Sequence, residues 1–317
     1  MSASKRILVT GGTGFIGRYV VERLRSNGVE PVVTTSGAAS DGLVALDLTD
    51  AEAAERVILS KKPDIVLHLG GVTGAGMSAD RCHAVNYVGT VSLLKALEKT
   101  VVSRVILLGT GAEYGHQDTP FREEMATRPV SSYAMSKAKA NEFAMDMHSR
   151  TGFPITVLRV FTAYGYHQPR KMFLPQVITH ALLKHRFSMS DGRQKRDFVF
   201  VGDVVDAIIA TIDAPRSIGR IINIAGGRAI ALKDLAEKIW DLCSADLEML
   251  QMGSLEKTND DAFDTEANIS LAAELLDWRP ATPFIGDAGN GHPLIEMIGR
   301  MKQEIESQAM APSRPTQ

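Results

Sequence analysis

The sequence predicts an α/β fold: a doubly wound parallel sheet with helices on both faces, followed by a smaller C-terminal lobe. Three observations predict it. Short apolar runs alternate with stretches of helical periodicity up to about residue 160. The runs are solidly apolar rather than alternating, which is how strands covered on both faces read. A glycine cluster, Gly11-Gly12-Thr13-Gly14-Phe15-Ile16-Gly17, sits directly between the first run and the first helical stretch.

Residues 6–10 form the first short strand, and residues 16–26 a helix that stops at Asn27-Gly28. A second strand covers 30–35 and a helix 51–60. Residues 64–69 are a third buried strand. Residues 86–99 are a helix with Val91, Leu94 and Leu97 at helical spacing. Residues 104–108 are a fourth strand, 131–150 a long helix and 154–160 a fifth strand. Beyond this the pattern loosens. Aromatic, Gly and Pro residues crowd 161–175, and helices are expected over 174–184 and 203–212. Apolar segments at 198–201 and 221–224 read as strands of a lobe interleaved with the first domain. Residues 307–317, with their Ser and Pro, read as a disordered tail.

The bulk properties narrow the function. Of 317 residues, 44% are hydrophobic and 23% charged, with a formal net charge of −2. That is a soluble globular composition with no basic excess for nucleic acid. The two cysteines, Cys82 and Cys243, stand far apart and make neither a metal site nor a disulfide framework. No apolar run approaches the roughly 18 residues of a membrane span. The N-terminus runs straight into a strand, which argues against a signal peptide. The expectation is a cytoplasmic protein with no metal, no membrane and no nucleic-acid partner.

Gly11, Gly14 and Gly17 follow a strand and open a helix, the context in which such spacing binds a dinucleotide. One glycine permits the tight turn, one lets the backbone approach the pyrophosphate, and one allows close helix packing. Thr13, Phe15 and Ile16 complete the loop, with the helix N-terminus facing the phosphates. This makes residues 1–165 mainly a Rossmann-type dinucleotide-binding domain, and 166–306 mainly a substrate-binding lobe. Such sites often place an acid about 20 residues on, for the ribose 2′-hydroxyl. Here the second strand ends Thr34-Thr35-Ser36, with hydroxyls and no acid. The cofactor reads as NAD(P), leaning to NADP. Asp47-Leu48 stand where the adenine would lie.

Tyr133 and Lys137 stand four apart, one turn apart on one helix face. An ammonium or a positively charged nicotinamide beside a phenol favours phenolate, and such a Tyr can exchange a proton with a substrate oxygen. Thr110 closes the fourth strand, at the carboxyl end where ligands of parallel sheets bind. Its hydroxyl is placed to bond the same oxygen.

With these pieces together, the chain resembles the extended short-chain dehydrogenase/reductases, in the NAD-dependent epimerase/dehydratase group acting on nucleotide sugars. The resemblance runs through residues 10–17, Asp47 to Asp50, His68-Leu69-Gly70-Gly71, Asn86 to Thr90, Thr110 to Gly115, Tyr133 to Lys137, residues 158–165, Arg196 to Asp206 and residues 275–280. It implies Tyr133 as acid/base, Lys137 as its partner and a ribose ligand, and Thr110 as the substrate-orienting hydroxyl. It implies cofactor contacts from Leu69, Gly70, Gly71 and Asn86, and a grip of Arg196 on the substrate diphosphate. It also implies a homodimer built on the helices at 86–99 and 131–150.

The chain departs from that pattern in places. The Asp-Glu pair that similar 4,6-dehydratases carry after the Thr is Gly111-Ala112 here, which argues against a dehydratase. The nearest carboxylate is Glu113, one step off, read as a substrate contact. No Cys stands in this loop, while His167 and Thr162 read as further substrate contacts. Lys257 stands in for an Arg before the last helices. Arg170, Lys171, Arg193 and Lys195 add local positive charge suited to a diphosphate. The reaction expected is hydride transfer at a nucleotide-linked sugar, at C4. A 4-ketoreductase is slightly favoured, and a 4-epimerase is the alternative with the same residues. A reductase of non-nucleotide ketones and a non-catalytic cofactor-binding protein are more distant readings.

Overall fold

A computed structural model describes residues 5–40, 42–73, 76–256 and 264–310. The strands are β1 (Ile7–Thr10), β2 (Val32–Thr35), β3 (Leu43–Ala45), β4 (Ile65–His68), β5 (Arg104–Thr110), β6 (Ile155–Val160), β7 (Thr162–Tyr164), β8 (Phe187–Met189), β9 (Lys195–Phe200), β10 (Ile221–Ile224), β11 (Ala229–Ala231) and β12 (Leu250–Met252). The helices are α1 (Phe15–Ser26), α2 (Ala51–Lys61), α3 (Ala79–Cys82), α4 (Gly89–Leu97), α5 (Ser132–Thr151), α6 (Phe173–Leu183), α7 (Val201–Ile212), α8 (Leu232–Leu242), α9 (Ser270–Leu276) and α10 (Pro293–Met310).

Seven strands form one sheet in the order β10-β6-β5-β4-β1-β2-β3, and every pairing in it is parallel. The solid apolar runs are thereby explained, because the pleat sends successive residues to opposite covered faces. Val9, Leu67, Ile106 and Leu158 pack with Val20 and Leu24 of α1 and Val204 and Ile208 of α7. Their neighbours Leu8, Val66, Val105 and Val157 pack on the other face with Ile58 of α2, Leu93 and Leu97 of α4 and Ala144 and Met147 of α5. The strand order reverses direction at β1 and β4, so a crevice opens between the loops at their carboxyl ends.

A second core joins Leu174, Val177, Phe198, Leu235, Ile239, Trp240, Leu294, Met297 and Met301. It carries the short sheets β11-β9-β7 and β12-β8. β10 then returns to the large sheet beside β6, so the two regions are interleaved in sequence.

Several boundaries differ from the periodicity, each for a local reason. The helix expected from residue 86 is preceded by α3, capped by the Ser78 side chain, and by a π-helical turn, His83–Val88. β9 starts at Lys195, ahead of its apolar run, because its first half pairs with β11. There Asp197 is buried by accepting the Gly226, Gly227 and Ala267 amides. The tail expected from Ser307 is a correction. α10 runs on to Met310, because no helix breaker intervenes before Pro312 and Glu304 anchors its last turns on Tyr166 and Arg170. Residues 311–317 lie outside the described ones.

β1 and β4 are also joined by His68, buried between Thr10 (2.7 Å) and Thr90 (2.9 Å). Burial, aided by the charge of Lys137, pulls the His68 imidazole down to about 3. The unfolded chain therefore takes up a proton below the ordinary His value of about 6.5 that the fold refuses. Stability from this group is complete above that value and is lost as pH falls towards 3. Between pH 7 and 5 the loss is about 2 kcal/mol. Urea midpoints measured across that range should show it, and His68→Gln should flatten the dependence by that amount. Equal slopes in the two proteins would contradict it.

Candidate active site

The crevice is built first from the β1–α1 loop. Gly14 caps α1 without a side-chain hydrogen bond, and no acidic residue lies in the first turn. The first amides of the helix thus face outwards with the positive end of its dipole. Backbone contacts enforce the glycines. A Cβ on Gly11, whose φ is +67°, would lie 2.7 Å from Gly70 Cα, and one on Gly17 would lie 2.1 Å from Gly11 O. A Cβ on Gly12 would meet Val33 Cγ1 at 2.4 Å, so the packing role extends to a glycine the spacing did not single out. On Gly14 only Gly11 O would be near, at 3.1 Å. This is a cradle shaped for a pyrophosphate, and the residues present fit a dinucleotide.

Around it stand the other expected cofactor residues. Thr35 ends β2, its hydroxyl accepting the Gly37 amide at 3.2 Å, and Ser36 follows. Asp47 follows β3, held below the usual carboxylate range by the amide and hydroxyl of Thr49. Leu48 turns inward beneath Gly70 and Gly89, so its side chain serves packing. Leu69, Gly70 and Gly71 follow β4, the first two lying against Gly11 of the phosphate loop. A cleft of about 590 Å³ runs from Gly12 and Thr13 past Arg18 to Val33 and Leu43.

The second group sits on α5. Ser131 caps the helix, and Tyr133 and Lys137 fall one turn apart. Burial pushes the Tyr133 phenol up to about 12; a hydrogen bond with Thr110 opposes this, and the charge of Glu113 adds to it. Burial pulls Lys137 down to about 8, with Glu113 opposing. Lys137 donates to Leu108 O at 2.8 Å. Burial thus outweighs the other influences on the phenol, and the ammonium is turned to a carbonyl. Asn86, in the π-helical turn, accepts the Val72 amide and donates to Ser136 Oγ (3.1 Å), which in turn donates to Tyr133 O. A Cβ on Gly71 would lie 2.9 Å from Asn86 Oδ1 and 3.4 Å from Lys137 Nζ. The end of β4, Asn86 and the α5 stripe therefore meet. Ser136 was not anticipated, although it lies between two residues that were.

Thr110 ends β5 and caps the turn Gly111–Tyr114 in a reciprocal capping box with Glu113. Glu113, expected to touch substrate, is a correction. It is fully buried, with Oε1 accepting from Thr110 N (2.8 Å) and Asn141 Nδ2 (2.7 Å) and Oε2 paired with Arg159 Nε (2.8 Å). Its acceptor capacity is directed to protein groups, not to a ligand. Gly111 packs on Phe161, where a Cβ would come within 2.9 Å of the ring.

On the far side, Thr162 of β7 pairs with Phe198 of β9, two residues from Arg196, so the strand period sets both on one face. Arg196 donates to Lys195 O. His167 has φ +69° and packs on the Tyr166 ring, facing Arg18, Glu22, Arg300 and Glu304. The bond from Tyr19 Oη to Tyr166 O draws this loop towards α1, and that from Tyr166 Oη to Glu304 ties it to α10. Arg170 pairs with Glu304 and Arg193 with Asp191, which offsets part of the expected positive charge. Lys257 lies outside the described residues. Among the described residues, no helix is long and apolar enough to cross a membrane, and no cluster of His, Cys, Asp or Glu could hold a metal ion.

Comparison with known proteins gives this geometry a context. The model of the NAD dependent epimerase/dehydratase family matches residues 7–225. The dTDP-D-glucose 4,6-dehydratase of Bos taurus is 27% identical over 309 residues, covering 89% of this chain and 86% of that protein. The UDP-glucose 4-epimerase of Rhizobium meliloti (strain 1021) is 26% identical over 309 residues, covering 87% of this chain and 93% of its own. Among solved structures, the UDP-glucose 4-epimerase of Thermotoga maritima with UDP-glucose superposes with a TM-score of 0.85 at 24% identity, covering 95% of this chain and 99% of that one.

Proposed function

The chain belongs to the NAD dependent epimerase/dehydratase family, and we propose that it is a nucleotide-sugar 4-epimerase. One observation carries the reading. Thr110, Tyr133 and Lys137 are assembled for hydride-coupled proton exchange, while the positions that would carry an elimination acid hold Gly111 and Ala112. An acid at 111 would collide with Phe161, and Glu113 is committed to Arg159. This supports proton and hydride movement without loss of water, against the dehydratase alternative.

In this mechanism Tyr133 takes the proton of the C4 hydroxyl as the C4 hydride leaves. Thr110 holds the same oxygen, and Lys137 keeps a positive charge behind the site. Bound oxidised nicotinamide supplies the hydride acceptor, its positive charge favouring phenolate. Tyr133 holds that proton while the keto-sugar turns within the pocket, and returns it to the C4 oxygen when the other face is reduced. Gly11, Thr13, Gly14 and the first amides of α1 would hold the pyrophosphate, and Asn86 and Lys137 would border the nicotinamide ribose.

The expected lean towards a ketoreductase rested on the acid-free end of β2. Curated relatives over nearly the whole chain include epimerases, which favours the alternative. A panel of UDP-, GDP-, CDP- and dTDP-sugars tests it. The expected result is interconversion of two C4 epimers with no net change in reduced nicotinamide. Stoichiometric oxidation of added reduced dinucleotide by a 4-keto sugar would overturn it in favour of the reductase.

The end of β2 still predicts cofactor tolerance. Thr35 and Ser36 repel no 2′-phosphate, and Arg18 lines the neighbouring cleft. NADP should therefore bind within about tenfold of NAD. Thr35→Asp should weaken NADP at least about tenfold by like-charge repulsion while leaving NAD little changed. Calorimetric titration measures both, and an unaltered NADP affinity in the variant would contradict it.

A further inference from the structure

We propose that Glu113 is a positioning residue of the hydride-transfer site, pinning Thr110 to the Tyr133 stripe of α5 and placing a fixed negative charge behind it. The inference rests on the catalytic reading above.

Tyr133, Lys137 and Asn141 recur at intervals of four along α5, so they share one face. The last of them, Asn141, donates to Glu113 Oε1, the oxygen that also accepts the Thr110 amide. The other oxygen meets Arg159 of β6, which stands opposite Gly109 in the register. One carboxylate therefore ties β5, β6 and α5 together at the residue where β5 delivers Thr110. Room for it comes from Gly109. A Cβ there would lie 2.6 Å from Asn141 Nδ2 and 2.7 Å from Glu113 Oε1, which accounts for a glycine inside a buried strand. Arg159 is itself fixed over the Tyr114 ring at 4.6 Å, and Tyr114 donates to Asn223.

The charge matters as well as the span. The charged and titratable groups bearing on Tyr133 are Glu113 on the turn after β5 and Cys82 on α3, with Lys137 following on its own helix. Glu113 raises the proton affinity of both Tyr133 and Lys137. Its anion keeps Lys137 cationic and raises the proton affinity of Tyr133, so that the proton taken from the C4 hydroxyl is held until it is returned. Neutralising Glu113 alone should therefore lower both affinities, whereas removing Arg159 with it also takes away an opposing positive charge.

The test compares Glu113→Gln and the charge-free pair Glu113→Gln/Arg159→Met with the native chain. The double variant serves if the single one does not fold. Two readouts are taken: the pH profile of turnover, and the ultraviolet titration of phenolate with oxidised dinucleotide bound, Tyr133→Phe identifying the signal. The expected result is a kcat about tenfold lower, from a displaced Thr110, with KM within about twofold. In Glu113→Gln the Tyr133 ionisation should move about one pH unit lower in both readouts, and in the double variant by less, because the Arg159 charge leaves with it. An unmoved ionisation with kcat within about twofold of native overturns the proposal. The phenolate titration needs no turnover. A native chain inactive on every sugar would sink the catalytic reading, and the spectroscopic shift would still decide the role of Glu113.

Discussion

Tyr133→Phe should lower turnover by between about 100-fold and 10,000-fold, the range associated with loss of a positioned acid/base. The substitution removes one oxygen and leaves the ring on α5, which is capped by Ser131 and packed through Ala134, Ala140 and Ala144. The fold should therefore be retained. The lost oxygen is the one on which Thr110 bears. The dinucleotide cradle lies on the β1–α1 loop and keeps every contact, so NAD affinity should stay within about twofold. Steady-state kinetics and a dinucleotide titration on the same preparation separate the two effects. Unchanged turnover would remove Tyr133 from the chemistry. A parallel loss of cofactor affinity would make its role structural.

Much of this site was legible in the sequence because its parts are local. A strand, three spaced glycines and a helix occupy residues 7–26, and two residues four apart need only one helix to share a face. What was not legible depends on distant partners. Glu113 was taken for a substrate contact because it neighbours the loop residues; its true partner, Arg159, is 46 residues away on another strand. Two signals did point to it. Arg159 is a charge within Ile155–Val160, a strand buried throughout, and such a charge needs a paired counter-ion. Gly109 is a glycine within Arg104–Thr110, which marks close approach by another group. The setting of His167 was hidden for a similar reason. Its direction is set by a left-handed backbone and by Tyr19 of α1, neither of which a loop sequence displays. The π-helical turn around Asn86 escaped because six residues are too few for its wider period to show in the apolar pattern.

Gly17→Ala should nearly abolish dinucleotide binding, with a loss of more than about 100-fold, or about 2.7 kcal/mol. The new methyl would stand 2.1 Å from Gly11 O and 2.7 Å from Gly12 Cα. Both are backbone atoms, so no rotamer change relieves the overlap, and α1 must move away from β1. That displaces the amides that would hold the pyrophosphate and disturbs Val20, Val21 and Leu24 in the core beneath them. A fall in the thermal midpoint of several degrees should accompany the loss. Gly14→Ala is the informative contrast. Its methyl would meet only Gly11 O, at 3.1 Å, and would point to the open mouth of the helix. The fold should keep its native midpoint, and affinity should drop by about tenfold or less, from crowding of the approaching phosphate. The pair of variants separates a glycine required by packing from one required by access. If Gly17→Ala bound dinucleotide as the native chain does, the β1–α1 contact would not be what shapes the cradle. If Gly14→Ala lost stability as severely as Gly17→Ala, access would not be the reason for a glycine at position 14.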